Sequence, residues 1–336
     1  MNIFRIVQPR TNKRKQENSP YRDIPAVLLF VFLLPYVVSC LWGHVGEETA
    51  VLAEKKEEET AWIDRNYEVV LAGNWGKKRM TMQEYLIRRL EMIMPMENDS
   101  GIDYEPEALK AQAVLLRTEL WALFSEAGEP VVLQENAMLY YGDEMEADEE
   151  ESPYREAVLE TDGIFLSYEG KPVKAAFFPI SNGQTRSAKE ALGSEEYPYL
   201  VSVDCGRDIT AWDYQSQVVM SGEEYSALAA ELFNASGTVP ELRRPPELLY
   251  DSAGYVTEVV LDGQRCSGES FRETFGLNSA SFRIEWEENE VIFHVKGKGH
   301  GFGMSQFGAN IKAGDGEAFD KILTDYFFQA ELVKIE

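Results

Sequence analysis

Histidine and cysteine are scarce in this chain, three of each in 336 residues. His44, His294 and His300 are too scattered to argue for a metal site, and neither a C-x-x-C nor an H-E-x-x-H pattern exists. No metal and no cofactor is expected. Cys40, Cys205 and Cys266 are few for an exported protein, and the sequence leaves open whether Cys205 and Cys266 pair. Positive charge is also short: 32 Lys and Arg stand against 58 Asp and Glu, a net charge of −26. A surface that acidic repels phosphates, which argues against nucleic acid as a partner. The acidic run "DEMEADEEES" (143–152) lacks the D-x-D-x-D-G pattern, so it reads as a solvated loop rather than a calcium site. A phosphate-binding glycine loop is missing as well. In "GKGHGFGMSQFGAN" (297–310) a G-x-G-x-x-G pattern counted from Gly297 fails at Phe302, and one counted from Gly299 fails at Met304. No G-K-[ST] follows, and no internal repeat stands out.

The strongest compositional signal is "IPAVLLFVFLLPYVVSCLWG" (24–43), 20 uncharged residues, long enough to span a bilayer as a helix. Arg5, Arg10, Lys13, Arg14, Lys15 and Arg22 precede it, and Glu47 and Glu48 follow. The positive-inside rule then predicts a cytoplasmic tail (1–23), a single anchor in the cell membrane (24–43) and the remainder on the extracytoplasmic side. A lipoprotein with Cys40 acylated after "VVSC" is the rival; the long basic region and long apolar run favour an uncleaved anchor. Residues 44–65 are charged and poor in large apolar side chains, which reads as a stalk, and folded structure is expected over 66–336.

Within that domain, residues 67–73 read as a strand and 80–94 as a helix with Met82, Leu86, Leu90 and Ile93 on one face, stopped by Pro95. Residues 104–124 form the clearest helix pattern. Pro106 suits its first turn, and Glu105 and Glu107 suit the positive end of its dipole. Lys110 and Arg117, seven apart, share nearly one face, as two surface cations or as a basic stripe bordering a site. Residues 157–203 read mainly as strands and turns, 221–233 as a helix, and 254–263, 281–286 and 289–297 as strands. A helix over 317–327 and a final strand over 330–335 complete the pattern. Strands and helices do not alternate as βαβ units, so the fold class is α+β.

Four stretches, in this order, resemble the stage II sporulation protein D family and its amidase-enhancer relatives: 84–95, "EALKAQAVLLRT" (107–118), "SNGQTRSAKEALGSEEYPYLVSV" (181–203) and "GKGHGFGMSQFGAN" (297–310). The resemblance covers about 66–336. It implies action on peptidoglycan during the engulfment step of spore formation, with glycan strands as partner and a cell-wall amidase as a further one. Active members look like lytic transglycosylases, in which one carboxylic acid protonates the glycosidic oxygen and then takes the proton of the sugar's C6 hydroxyl. That acid needs a raised pKa.

The resemblance places the acid two residues before the proline. This chain has Ile93 there, so weak or absent catalysis is expected. Glu91 lies roughly 200° around the helix from Ile93, and Glu97, in the loop after Pro95, is the candidate for a relocated acid. A further alternative is a scaffold that docks an amidase without touching glycan. The resemblance also implies a glycan groove lined by Lys110, Gln112, Arg117, Ser181, Gly183, Gln184, Thr185, Gly299, His300, Gly301, Gly303, Met304, Ser305 and Gln306. For the glycines two readings stand open: room for a sugar against the backbone, or a tight crossing of strand and helix.

Overall fold

The structure, a computed structural model, describes residues 62–73, 76–96, 103–128, 130–134, 152–233 and 245–335. These lie in one compact unit, Trp62–Glu336. The basic tail and the apolar run 24–43 lie outside the described residues. No described helix is long and apolar enough to cross a membrane.

A 3-10 turn, Ile63–Asn66, leads into strand β1 (Glu68–Gly73), which pairs antiparallel with β2 (Gly76–Thr81). Helix α1 (Met82–Ile93) starts at once, because the Thr81 hydroxyl accepts from the Glu84 amide. Its predicted apolar face is real: Met82, Leu86 and Leu90 are fully buried, and Ile93 is partly buried at the edge of the same core. Helix α2 (Pro106–Ala127) has Pro106 in its first turn as predicted, and β3 (Val131–Gln134) returns parallel to β1. Twelve residues of α2 are buried, which makes it the axis of the larger core. Around it pack α1, α3 (Pro153–Glu160) and β4 (Ile164–Tyr168).

Beyond β4 come β5 (Lys171–Pro172), β6 (Phe177–Phe178) and α4 (Ala188–Leu192). A second core forms between α5 (Gly222–Leu232), α6 (Gly268–Thr274) and two three-stranded sheets. One sheet runs β8 (Glu247–Tyr250), β9 (Val256–Leu261) and β10 (Gln264–Ser267), with β9 central. The other has β12 (Glu290–Lys296) between β11 (Phe282–Trp286) and β7 (Gln215–Ser221). Phe271, Phe275 and Phe293 fill the space between them, with Phe271 and Phe275 stacked at 4.2 Å. The chain then crosses back. Strand β13 (Met304–Ser305) pairs with β6, helices α7 (Gln306–Gly314) and α8 (Phe319–Tyr326) pack on α2, and β14 (Glu331–Lys334) pairs with β4. The architecture is α+β.

Two expectations change, and one open question is answered. The folded unit begins at Trp62, because Asp64, placed in the stalk, is fully buried. Residues 157–160, read as strand, close helix α3. Pro153 sits in its first turn, and Tyr154, Ala157 and Val158 repeat at helical spacing on its buried face. Cys205 and Cys266 are both free.

Candidate functional site

The four motif stretches meet. Asn310 on α7 accepts from the Glu105 amide at 2.7 Å and donates to the Asp103 carbonyl at 3.1 Å, which fixes the entry to α2. One turn earlier on α7, Gln306 donates to Gln112 on α2 at 3.2 Å, both side chains buried. Ile180 and Lys298 exchange backbone hydrogen bonds, and the Arg186 amide donates to the Gly301 carbonyl at 2.7 Å. The Tyr104 amide reaches Met96, just past α1.

At this junction lies a residue that sequence reasoning passed over. Asp208 is fully buried and accepts from the Ser181 amide at 2.8 Å and the Ser305 hydroxyl at 2.6 Å. Ser305 in turn caps α7 by accepting from the Gly308 amide. Burial pushes the Asp208 carboxyl up, against those hydrogen bonds. The neighbouring Cys205 thiol is pushed up to about 12 by burial and by Asp208, which favours the protonated thiol over the thiolate. A Cβ placed on Gly308 would run into Asp208 and the Tyr326 hydroxyl, so no side chain fits there. Asp208 therefore ties three segments together and is closed to a sugar. The only sequence cue was an Asp inside the "DCGRDIT" turn.

The predicted lining residues are mostly sealed in the same way. Arg117 is fully buried and clamps Asp64, with Nη2 to Oδ2 at 2.6 Å and Nε to Oδ1 at 2.9 Å, while Nη1 reaches the Ile164 carbonyl. Lys110 bridges Glu107 and Glu160, joining α2 to α3. The basic stripe on α2 thus serves internal attachment, not a groove. Thr185 is buried and bonds Val201 and Val203, and Met304 is buried in the larger core. Gln184 is exposed. His300 is part-buried between Phe178 and Phe302. Its Nδ1 accepts from the Phe302 amide at 3.1 Å, and burial lowers its pKa, which favours the neutral ring.

The question of the alternating glycines has a steric answer. Gly297, Gly299, Gly301 and Gly303 all have positive φ. A Cβ on Gly297 would meet the Ile180 carbonyl at 2.7 Å; on Gly299, the Phe178 side chain; on Gly301, Tyr255 and Arg186; on Gly303, the Ala176 carbonyl. Their open sides face protein, so these glycines permit a tight crossing. Gly183 differs, with positive φ and open space where a Cβ would lie.

What remains open lies beside the crossing. Trp212 is 66% exposed, Asp213 pairs with Lys298 at 3.6 Å, and Lys298 is half exposed. At the end of α1, the Tyr154 hydroxyl donates to the Met94 carbonyl at 3.0 Å and accepts from the Met96 amide at 2.8 Å, fixing the turn after Ile93. Glu91 is the described carboxylate nearest this turn along the chain. Burial raises its pKa and Arg88 opposes the shift. Glu97 lies outside the described residues. Among the described residues no cluster of His, Cys, Asp or Glu could hold a metal.

Comparison with known proteins gives the arrangement its context. Residues 75–168 match the family model described as stage II sporulation protein. Over 276 residues the chain is 32% identical to the stage II sporulation protein D of Bacillus amyloliquefaciens, covering 77% of this chain and 76% of that protein. The chain belongs to the stage II sporulation protein D family. The same protein of Bacillus subtilis (strain 168) is 30% identical over 302 residues, 84% of each chain. The amidase enhancer of Bacillus subtilis is 23% identical over 287 residues, 71% of this chain but 39% of that longer relative. The family-model match ends at residue 168, so the crossing glycines and the second core lie outside it.

Proposed function

We infer that this stage II sporulation protein D relative binds peptidoglycan glycan strands in the sporulating cell wall and has little or no transglycosylase activity. Its place would be the extracytoplasmic face of the cell membrane, held by residues 24–43. Family membership supports the cell-wall setting. One observation carries the catalytic half of the reading. The α1 terminus, held in place by Tyr154, presents Ile93, partly buried against the core, where the family resemblance implies a glutamate. A hydrocarbon side chain has no proton to deliver to a glycosidic oxygen.

Glu91 favours a second reading. Its burial-raised pKa is a property a general acid needs, two residues from the expected position. A third, non-enzymatic role in docking a cell-wall amidase is supported only by the likeness to the amidase enhancer.

Co-sedimentation of the full chain with glycan strands freed of stem peptides tests the binding claim. Retention on the strands is expected, and a chain left wholly in the supernatant overturns it.

A further inference from the structure

Charge guards several sheet edges of this molecule. β2 carries Lys77, Lys78 and Arg79, β11 carries Arg283 and Glu285, and β14 carries Glu331 and Lys334. Such charges keep an edge from pairing with another chain. β7 differs. Gln215–Ser221 is the longest edge strand among the described residues, and it holds no charged residue and no proline. The ladder fixes which of its backbone groups are free. At the two ends of the β7–β12 register, the Gly297 amide donates to the Tyr214 carbonyl and the Gly222 amide to the Asn289 carbonyl. Antiparallel bonds recur at every second residue, so Ser216, Val218 and Met220 bond to β12. Gln215, Gln217 and Val219 turn their amides and carbonyls outward, and among the described residues nothing pairs with them. The Ser221 amide is taken by Glu224. The outward residues also expose their side chains, Val219 by 52%.

The charges sit at the ends of the neighbouring strand. Glu290 and Lys296 close β12, opposite Ser221 and Gln215 respectively. Both are exposed, and neither has an ion-pair partner among the described residues. Arg283, loosely held by Glu285 at 3.5 Å, adds to the positive end beside a cavity of about 660 Å³. We propose that β7 pairs with β7 of a second copy of this chain, antiparallel about a two-fold axis at Val218, so that one sheet runs through both copies. Val218 then faces its own counterpart, Gln217 lies opposite the second copy's Val219, and Gln215 lies opposite its Ser221. The outward amides gain acceptors, and Val219 is covered. Charge selects this occupant. Lys296 and the second copy's Glu290 fall in one cross-strand row, three strand spacings of about 4.8 Å apart, and their long side chains reach toward each other over Gln215 and Ser221. Symmetry makes the pair twice. Elsewhere a chain of net charge −26 repels its copies, so an uncharged edge with opposite charges at its two ends is where they meet. A single strand pair covers less than the roughly 800 Å² per partner of a standard interface, so the association is weak and concentration-dependent. This inference stands apart from the glycan reading.

Sedimentation velocity of the full chain in density-matched detergent, over a wide range of protein concentration, tests it. A dimer that grows with concentration is expected. Val219→Pro should abolish the dimer with an unchanged far-ultraviolet circular dichroism spectrum, because that amide points away from β12. Lys296→Glu should weaken association about fivefold, and Glu290→Lys added to the same chain should restore it. Val218→Cys should give a disulfide-linked dimer on mild oxidation that the parent does not, since facing residues outside the hydrogen-bonded pairs lie about 4.5 Å apart at Cα, within disulfide reach. A parent that stays monomeric at every concentration overturns the proposal. So does a dimer that survives Val219→Pro in a folded chain, or a charge-swapped double variant that associates no better than Lys296→Glu alone. Co-sedimentation with glycan strands is unaffected by any of these results, so the two readings fail separately.

Discussion

Arg117 and Arg283 show two regions of one molecule using the same residue in opposite ways. Arg117, in the helical half, is sealed from water and spends its guanidinium on Asp64, Thr161 and two backbone carbonyls. Arg283, in the sheet half, stands in solvent beside a cavity with one loose partner. The motif-rich junction is thus mostly interior, while the less conspicuous sheet carries the open cationic face. A charge within a recognisable motif is not by that fact a ligand-binding charge; burial and partners decide.

The sharpest way to break this contrast is to remove each arginine. Arg117→Met should cost about 3–5 kcal/mol in denaturant unfolding, because Asp64 is left buried and unpaired. Arg283→Met should cost well under about 0.5 kcal/mol, as exposed substitutions do. Equal losses would erase the distinction.

The glycines offer a second contrast inside the junction. Gly303→Ala should cost about 3 kcal/mol, from left-handed strain and from displacement of the Ala176 carbonyl. Gly183→Ala, with positive φ but open space, should cost about 1 kcal/mol. If Gly183→Ala proves the more costly by thermal unfolding, the crossing is not as tight as described.

A smaller effect concerns pH. The Asp208 carboxyl is raised by burial in the fold. Its contribution to stability is therefore fully present below the unfolded pKa, about 3.9, and is lost as pH rises through the folded value. Asp208→Asn should flatten that decline. The variant should gain on the parent as pH rises from 4 to 7, because its side chain has no proton to lose. A parallel pair of stability curves would mean that Asp208 ionises in the fold as freely as in water.

Much of the helical half was legible because its signals are local. Pro106 and the acidic first turn marked the start of α2, and the spacing of Met82, Leu86 and Leu90 marked the buried face of α1. The α+β class followed from element order. The partners were not legible, since they are distant in sequence. Arg117 meets Asp64 across 53 residues, Gln112 meets Gln306 across 194, and Ser305 meets Asp208 across 97. No local pattern distinguishes a surface arginine from a clamped one. The glycine alternation announced an unusual backbone but not which atoms would approach it; that needed the chain at 176–186. The cavity stayed hidden because it exists only once β7 pairs with β12, with Gln217 and His294 opposite one another across 77 residues.

The central claim is that this family member keeps its hold on glycan strands while lacking the acid at the end of α1. Mass spectrometry of strands freed of stem peptides, after incubation with the parent chain and with Ile93→Glu, tests it most directly. The apolar neighbours Leu86 and Leu90 would desolvate a glutamate introduced on that face and raise its pKa. The account predicts no anhydro-ended fragments from the parent and slow formation of them by the variant. Anhydro-ended fragments from the parent itself would contradict it.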